Sequence, residues 1–395
     1  MSAVPVQGLS GYSTYKETPG MRKRSTSNNS IFYIILIITM ILVCLLGAAA
    51  GYLGPQLFGS WDVHEIGEAM AECLGQASPV PTEAPTILST FPPDPTETAT
   101  GSPELMATLT PAPPCQRPER VLVIVLDGMR PDAIWGTSQA PYILDLALHR
   151  GAYTWNGLTV APSLTIPAHS SLLTGYDVPI HGVTRNDLHK VEGAYLETKS
   201  LFQFAKEHNW FTALVAGKER LRYFRQPGAL DVQQVYKQMD NLTVAEYASQ
   251  VIAENGFGLM LINFGYTDIT GHAEGWMSDP YLGAVAQADQ AVRHVFDVLK
   301  AFNYLETTLV VITADHGGLE YIHSNNRPED ETIPWIITGP CVKKGFELPS
   351  EPRLRIFDTA PTILWALGWE IPADFSGRVI REAFEESGFS QAGTP

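Results

Sequence analysis

Residues 121–128 read Val-Leu-Val-Ile-Val-Leu-Asp-Gly, an unbroken run of apolar side chains that ends in a carboxylate and a glycine. A continuous apolar run of this length is typical of a strand that is buried on both faces of a sheet. Three similar runs occur at residues 211–217, 257–264 and 308–314. Helical patterns lie between the runs, at residues 140–150, 199–208, 244–255 and 280–303. Strands and helices alternate, which predicts an α/β fold with a mostly parallel central sheet and helices on both faces.

Composition and charge indicate which classes of molecule this chain can bind. The 395-residue chain is 45% apolar, which is enough to bury a core, and its net charge is −16. Binding to a nucleic-acid backbone needs clustered Lys and Arg, so nucleic acid is not expected as a partner. A phosphorylated small molecule stays open as a substrate, because bound cations can reverse the field at one site.

The four cysteines form no dense disulfide pattern and no CxxC metal motif. They are Cys44, Cys73, Cys115 and Cys341. Cys73 and Cys115 could pair in an oxidising compartment, and the sequence alone leaves that pairing open.

An uncharged apolar segment at residues 31–53 predicts a transmembrane helix. At about 1.5 Å per residue, its 23 residues cover a bilayer core of about 30 Å. Lys16 and three basic residues at 22–24 precede the segment, and no Lys or Arg follows it before Arg117. This asymmetry predicts a cytoplasmic tail at residues 1–30 and an extracytoplasmic location for the rest. A cleaved signal peptide is the alternative, because Ala48, Ala49 and Ala50 resemble a cleavage site.

The remaining chain divides into a connecting segment and a globular domain. Residues 54–118 are rich in Pro and Thr from position 77 onward, a composition that does not support a packed core. We interpret this segment as an extracytoplasmic stalk. The globular domain is predicted at residues 119–395.

Polar residues with metal-binding chemistry follow three of the predicted strands. Asp127 follows the first run, Asp268 and His272 follow the third, and Asp315 and His316 follow the fourth, with His323 shortly after. Ligands of open parallel sheets bind beyond the carboxyl ends of the strands. Each residue alone is more often a helix cap, a turn residue or a structural histidine. Their common placement favours a site for Zn²⁺ or a related cation, and several carboxylates together could hold two ions.

Thr165 offers a nucleophile. It stands shortly before a predicted helical stretch at residues 169–174, and Pro167 suits a first helical turn. Backbone N–H groups at a helix N-terminus favour anions. Thr165 is therefore either an ordinary N-cap or a metal-activated nucleophile whose phosphoryl target docks at the helix end.

In order along the chain, these motifs resemble the type I phosphodiesterase/nucleotide pyrophosphatase family of the alkaline phosphatase superfamily. They are the motifs at 127–132, 165–175, 181–186, 268–272, 315–317 and 323. The resemblance extends from about Val121 to Glu382 and implies an alkaline phosphatase-like fold. It also implies that Asn186 donates a hydrogen bond to a phosphoryl oxygen.

The resemblance further implies two divalent metal ions, with Zn²⁺ the first choice and Mn²⁺ or Fe as substitutes. One ion is assigned to Asp268, His272 and His323. The other is assigned to Asp127, Asp315 and His316, with Thr165 as the coordinated nucleophile. The Cys/Ser-x-Pro-x-Arg phrase of the related sulfatases is missing at Thr165, which argues against sulfate esters.

The sequence therefore predicts a membrane-anchored hydrolase of small phosphate diesters or anhydrides, acting through a phospho-threonine. A phosphomonoesterase or phosphonate hydrolase using the same site is the alternative within enzymes, with Arg185 and Lys218 as candidates for binding a monoester dianion. An inactive binding module of the same fold is a third interpretation, which predicts lost ligands. The sequence does not identify the natural substrate.

Overall fold

The computed structural model describes residues 115–386 and residue 389. The predicted cytoplasmic tail and transmembrane segment, and the stalk as far as residue 114, lie outside the described residues. Within the described range, no helix is long and apolar enough to cross a membrane.

The described domain is built on an eight-stranded sheet. Its strands are β1 (Arg120–Leu126), β2 (Ala152–Leu158), β3 (Thr212–Ala216), β4 (Val232–Val235), β5 (Leu259–Phe264), β6 (Thr308–Thr313), β7 (Thr332–Thr338) and β8 (Phe346–Glu347). They lie in the order β4-β3-β5-β1-β6-β7-β2-β8. Strand β7 is antiparallel to both of its neighbours, and the other adjacent pairs are parallel. The mostly parallel sheet is confirmed.

Helices flank this sheet. They are α1 (Pro131–Trp135), α2 (Pro141–Asp145), α3 (Thr165–Thr174), α4 (Val178–His181), α5 (Leu201–Glu207), α6 (Asn241–Asn255), α7 (Tyr266–Glu274), α8 (Asp279–Ala301), α9 (Pro328–Glu331) and α10 (Thr359–Leu367). Short 3₁₀ helices cover Leu188–Lys190, Glu219–Phe224, Leu305–Thr307, Ile356–Asp358 and Arg381–Ala383. The helices pack in two groups: α8 contacts α2, α6 and α7, while α3 contacts α4, α5 and α10.

The four predicted strands are the adjacent central strands β3, β5, β1 and β6. Each is buried along nearly its whole length, as a continuous apolar run predicts. The helix predicted at 140–150 is less regular than expected, because α2 passes into a π-helical turn at Leu146–Arg150.

The outer strands β4, β7, β2 and β8 were not predicted. Strand β4 is short, with two glutamines at its centre, and lies at the sheet edge. Strand β7 contains Pro334, which lacks an N–H group for the sheet ladder. The strand tolerates this proline because its pairing with β2 shifts register between Thr154 and Gly157, the partners of Trp335 and Ile333.

A disulfide joins Cys115, ahead of β1, to Cys341, after β7. The pairing of Cys115 with Cys73 that the sequence left open is therefore not the one in the structure. The two bonded cysteines are 226 residues apart in sequence, which explains why local spacing did not indicate the bond.

Candidate metal centre

The carboxyl ends of β5, β1 and β6 bring the predicted ligands to one place. These three strands are parallel neighbours in the sheet, so the residues that follow them meet at one edge. Asp127 follows β1 directly, and Asp315 and His316 come two and three residues after β6. Asp268 lies in the first turn of α7, just beyond β5.

Asp268, His272 and His323 form the first group that could hold a metal ion. The Oδ1 atom of Asp268 lies 3.5 Å from Nε2 of His272 and 3.7 Å from Nε2 of His323. Asp268 and His272 are four residues apart on α7, so they share one face of that helix.

Both histidines of this group are oriented by backbone carbonyls. The Nδ1 atom of His272 lies 2.9 Å from the carbonyl oxygen of Tyr321, and Nδ1 of His323 lies 2.6 Å from that of Ser163. A carbonyl only accepts, so Nδ1 carries the proton in each ring and Nε2 presents a lone pair to Asp268. This is the usual arrangement of metal-binding histidines.

Asp127, Asp268 and His316 form the second group. The Nε2 atom of His316 lies 3.7 Å from Oδ1 of Asp127 and 3.8 Å from Oδ1 of Asp268. Oδ2 of Asp315 is also near, at 3.5 Å from the same nitrogen. Asp268 thus takes part in both groups, whereas the family resemblance assigns it to one ion and Asp315 to the other. The assignment of each ligand to an ion stays a prediction.

The chemistry of this cluster fits a metal. Three of its buried atoms, Oδ1 of Asp268, Oδ2 of Asp315 and Nε2 of His316, have no hydrogen-bond partner among the described residues. Buried polar atoms are rarely left unpaired. The separations of 3.5 to 3.8 Å are too long for hydrogen bonds. Two ligands of one tetrahedral Zn²⁺ stand about 3.4 Å apart, so a shared cation would satisfy these atoms.

Thr165 is the first residue of α3, and its side chain is fully buried. The N-cap position is occupied by Leu164, and no side-chain capping hydrogen bond is present. The interpretation of Thr165 as an N-cap is therefore not supported. Its hydroxyl instead accepts a hydrogen bond of 3.0 Å from Nζ of Lys218.

Asn186 adjoins the same helix end. Its Oδ1 atom accepts a hydrogen bond of 2.8 Å from the backbone N–H of Ile166, the second residue of α3. The amide nitrogen of Asn186 is left as a donor beside the helix N-terminus. Asn186 also lines a groove of 360 Å³ that reaches Asp268 and His272.

Lys218, which the sequence suggested only as a possible contact for a monoester dianion, is a central residue of the site. Besides Thr165, its Nζ atom donates to Oδ1 of Asp127 at 2.6 Å and to Oδ2 of Asp268 at 2.7 Å. The residue is 6% exposed. It follows the end of β3 by two residues. The expectation that ligands bind beyond the carboxyl ends of parallel strands, which pointed to Asp127 and Asp315, therefore applies to this position too. Arg185, the other candidate for a phosphate contact, is exposed and pairs with Asp187 at 3.2 Å.

Burial and charge set the protonation of the cluster. Burial opposes the charged form of Lys218, but the carboxylates of Asp127 and Asp268 outweigh it and raise the lysine's pKa. The pKa of Asp268 is lowered despite its burial, chiefly by the charge of Lys218. Burial and the neighbouring Asp127 raise the pKa of Asp315 to about 7. Burial also lowers the pKa of His316 and that of His323, which keeps both rings neutral, the form that binds metals.

Three further residues hold Asp127, Asp315 and the turn beside them in place. Nδ2 of Asn263 donates to Oδ2 of Asp127 at 3.1 Å, and Nδ1 of His169 lies 3.6 Å from Oδ2 of Asp315. Gly128 has a φ of +69°, and a Cβ there would come within 2.9 Å of the Cβ of Asp268. The Asp127-Gly128 pair therefore needs glycine both for its backbone conformation and for the close approach of α7.

His181, the first residue of another motif, lies outside the centre. Its Nε2 atom is 2.8 Å from the hydroxyl of Ser171, and its Nδ1 accepts a hydrogen bond from the backbone N–H of Val183. Burial lowers the pKa of His181 to about 4. The residue connects α4 to α3 and is structural.

A cluster of carboxylates and neutral imidazoles thus lies beside a buried hydroxyl at the carboxyl edge of the mostly parallel sheet, which is a candidate metal centre in an alkaline phosphatase-like fold. The chain belongs to the type I phosphodiesterase/nucleotide pyrophosphatase family, whose sequence profile matches residues 121–327.

Two characterised relatives show how far the similarity extends. Human ectonucleotide pyrophosphatase/phosphodiesterase family member 1 is 25% identical over 247 residues, which are 56% of this chain and 26% of the relative. The 2,3-bisphosphoglycerate-independent phosphoglycerate mutase of Gracilaria tenuistipitata var. liui is 27% identical over 150 residues, which are 37% of this chain and 28% of the relative. The chain thus spans less than a third of the length of either relative.

Solved structures share the fold. An inactive threonine-to-alanine variant of murine ectonucleotide pyrophosphatase/phosphodiesterase 5, in complex with AMP, superposes with a TM-score of 0.58 at 13% identity, covering 68% of this chain and 100% of that one. A phosphonate monoester hydrolase from Silicibacter pomeroyi superposes with a TM-score of 0.53 at 16% identity. The superposition covers 70% of this chain and 78% of that one.

Proposed function

We propose that this protein is a membrane-anchored, extracytoplasmic phosphodiesterase/pyrophosphatase that acts through a phospho-threonine at a two-metal site. The observation that carries this proposal is the position of the Thr165 hydroxyl. It lies 3.0 Å from the ammonium group of Lys218, and that group also contacts Asp127 and Asp268 of the candidate metal groups. A buried hydroxyl without a capping role is thus part of the same polar centre as the ligands.

The residues that would hold the ions are Asp268, His272 and His323 for one, and Asp127, Asp315 and His316 for the other. Two Zn²⁺ ions, when bound, supply Lewis-acid stabilisation of the nucleophilic and leaving oxygens. Thr165 at the N-terminus of α3 contributes the nucleophile, and the positive end of the helix dipole there favours phosphoryl oxygens. Asn186 contributes an amide donor to the same oxygens.

The reaction has two in-line steps. In the first, the Oγ atom of Thr165 loses its proton and forms a bond to phosphorus, while the bond from phosphorus to the ester oxygen breaks and that oxygen takes up a proton. In the second, a water oxygen bonds to phosphorus and the bond to Oγ breaks, which regenerates the hydroxyl. Lys218 holds the Thr165 hydroxyl by a direct hydrogen bond and offsets the charge of the neighbouring carboxylates. The murine relative of the same fold is inactive as a threonine-to-alanine variant, which agrees with a threonine nucleophile in this fold.

Lys218 also favours a second candidate function. An additional cation beside the nucleophile suits the dianionic phosphoryl group of a phosphate monoester. The shared fold of a phosphonate monoester hydrolase agrees with this alternative. Comparing kcat/KM for a diester, its matching monoester and an aryl phosphonate separates the two functions, since the proposed diesterase prefers the diester.

The membrane-anchored topology rests on residues 31–53 and on the basic residues before them. The disulfide between Cys115 and Cys341 supports an oxidising compartment for the domain. Protease added to intact cells should release a soluble, active fragment by cutting between residues 77 and 114. A domain that is cleaved only after lysis would reverse the topology.

Paired variants of Thr165 test the function. Thr165→Ala should lose nearly all turnover while metal content and melting temperature stay close to wild type, because the covalent step has no other route. Thr165→Ser should keep a measurable rate, since its hydroxyl can still attack. An alanine variant that retains most of its activity would overturn the proposal.

A further inference from the structure

The groove beside the candidate metal centre is lined by four basic and three acidic side chains. Its lining includes Lys190, Arg220 and Lys237, together with Asn186, Asp268 and His272 at the catalytic end. In a chain with a net charge of −16, three basic side chains around one groove of 360 Å³ need a physical reason.

The acidic residues of the groove do not neutralise these cations. Glu219 pairs with Arg222 at 2.9 Å, and Asp187 pairs with Arg185 at 3.2 Å. Asp268 is held by Lys218 and belongs to the candidate metal groups.

Lys190, Arg220 and Lys237 themselves form no ion pair within the part of the chain that the structure describes. The three cations are therefore available to a ligand. We call this set the basic wall.

The groove offers little surface for stacking, because its aromatic rings among the described residues are the imidazoles of His189 and His272. Among the described residues that line it, none is Phe, Tyr or Trp. Recognition of a nucleobase generally uses an aromatic face, whereas recognition of an anion uses Lys and Arg donors. The wall is thus suited to a charged substituent rather than to a base or an alkyl chain.

We propose that the substrate is a small phosphate ester with a second anionic group, a phosphate or a carboxylate, which binds the basic wall while the scissile phosphoryl group lies at Thr165. This inference rests on the proposed function and specifies the substrate class of the same site. The catalytic end and the basic wall share one groove of 360 Å³, a volume typical of small-molecule sites.

Three synthetic diesters that differ in one substituent test the inference. They are 4-nitrophenyl propyl phosphate, 4-nitrophenyl 2-carboxyethyl phosphate and 4-nitrophenyl 2-phosphonooxyethyl phosphate. Each exposed ion pair changes affinity by about 1.5- to 5-fold, so kcat/KM should be about tenfold higher for the anionic diesters than for the propyl diester. High salt should reduce this ratio, because the wall is open to solvent.

The triple variant Lys190→Gln, Arg220→Gln, Lys237→Gln should bring the ratio close to one. Lys344→Gln, at an exposed lysine outside the groove, is the matched control and should keep the wild-type ratio. Hydrolysis of all three diesters at equal efficiency would overturn the inference and leave the proposed function intact. Hydrolysis of none of them would contradict the proposed function as well.

Binding measured without turnover gives an independent readout. Calorimetry with the Thr165→Ala protein should show that 3-phosphonopropionate binds about tenfold more tightly than propylphosphonate. The triple variant should lose this difference. Equal affinity for the two phosphonates in the protein with an intact basic wall would contradict the second anion site directly.

Discussion

The Nζ atom of Lys218 lies 3.0 Å from Oγ of Thr165, although the two residues are 53 positions apart in the sequence. The same atom lies 2.6 Å from Asp127 and 2.7 Å from Asp268. One buried ammonium group therefore joins the proposed nucleophile to carboxylates that follow β1 and β5.

Replacement of Lys218 should lower the stability of the metal-free protein and the turnover of the metal-loaded protein. In metal-free Lys218→Met protein, Asp127 and Asp268 lose their buried partner, and removing one member of such a pair costs about 3–5 kcal/mol. The melting temperature of the metal-free protein should fall accordingly, whereas Lys344→Met should leave it unchanged. Turnover of the metal-loaded variant should fall about 100-fold, as for the loss of one oxyanion donor. Equal melting temperatures for wild-type and Lys218→Met protein without metal would show that the ammonium group is not needed there.

Metal content tests the two-ion assignment. Elemental analysis of dialysed, active protein should find two transition-metal ions per chain. A chelator should abolish turnover and Zn²⁺ should restore it.

His323→Asn should lower the content to one ion and reduce kcat by a factor of about 10 or more, because the imidazole of His323 faces Asp268. His149→Asn, at an exposed histidine, is the matched control. Active protein without any transition metal would refute the assignment.

His181 should make the fold sensitive to acid. Burial lowers its pKa to about 4 in the folded protein, against an ordinary value of 6.5. Between these values the unfolded chain binds a proton that the folded chain does not, so the free energy of unfolding falls as the pH drops from 6.5 to 4. The slope from one such group is at most about 1.4 kcal/mol per pH unit.

His181→Gln should lower the slope of unfolding free energy against pH in this window, as measured by denaturant titration, and His149→Gln should not. An unchanged slope in His181→Gln would show that this histidine is not the source of the acid sensitivity.

The central sheet was predictable because its strands are buried on both faces, and burial of that kind leaves an unbroken apolar run such as 121–126. Because ligands of parallel sheets bind beyond the carboxyl ends of the strands, the sequence also predicted that Asp127, Asp315 and His316 would lie close together. The edge strand β4 has no such run, and β7 is interrupted by Pro334, so neither could be identified from apolar periodicity.

Two features of the site depend on tertiary geometry. The role of Lys218 depends on β3 lying beside β5, which places its side chain between Asp127 and Asp268. The position of Lys218 after β3 places it at the carboxyl edge of the sheet, but the sequence does not show that its ammonium group lies between the two carboxylates. The bond between Cys115 and Cys341 likewise depends on how the chain brings together segments 226 residues apart.

The stereochemical course at phosphorus tests the central claim most directly. A diester that is chiral at phosphorus through one sulfur atom is hydrolysed in ¹⁸O-labelled water, and the configuration of the thiophosphate product is determined. Two in-line displacements through Thr165 predict overall retention of configuration, because each displacement inverts it once. Inversion would show a single direct attack by water and would contradict the phospho-threonine mechanism.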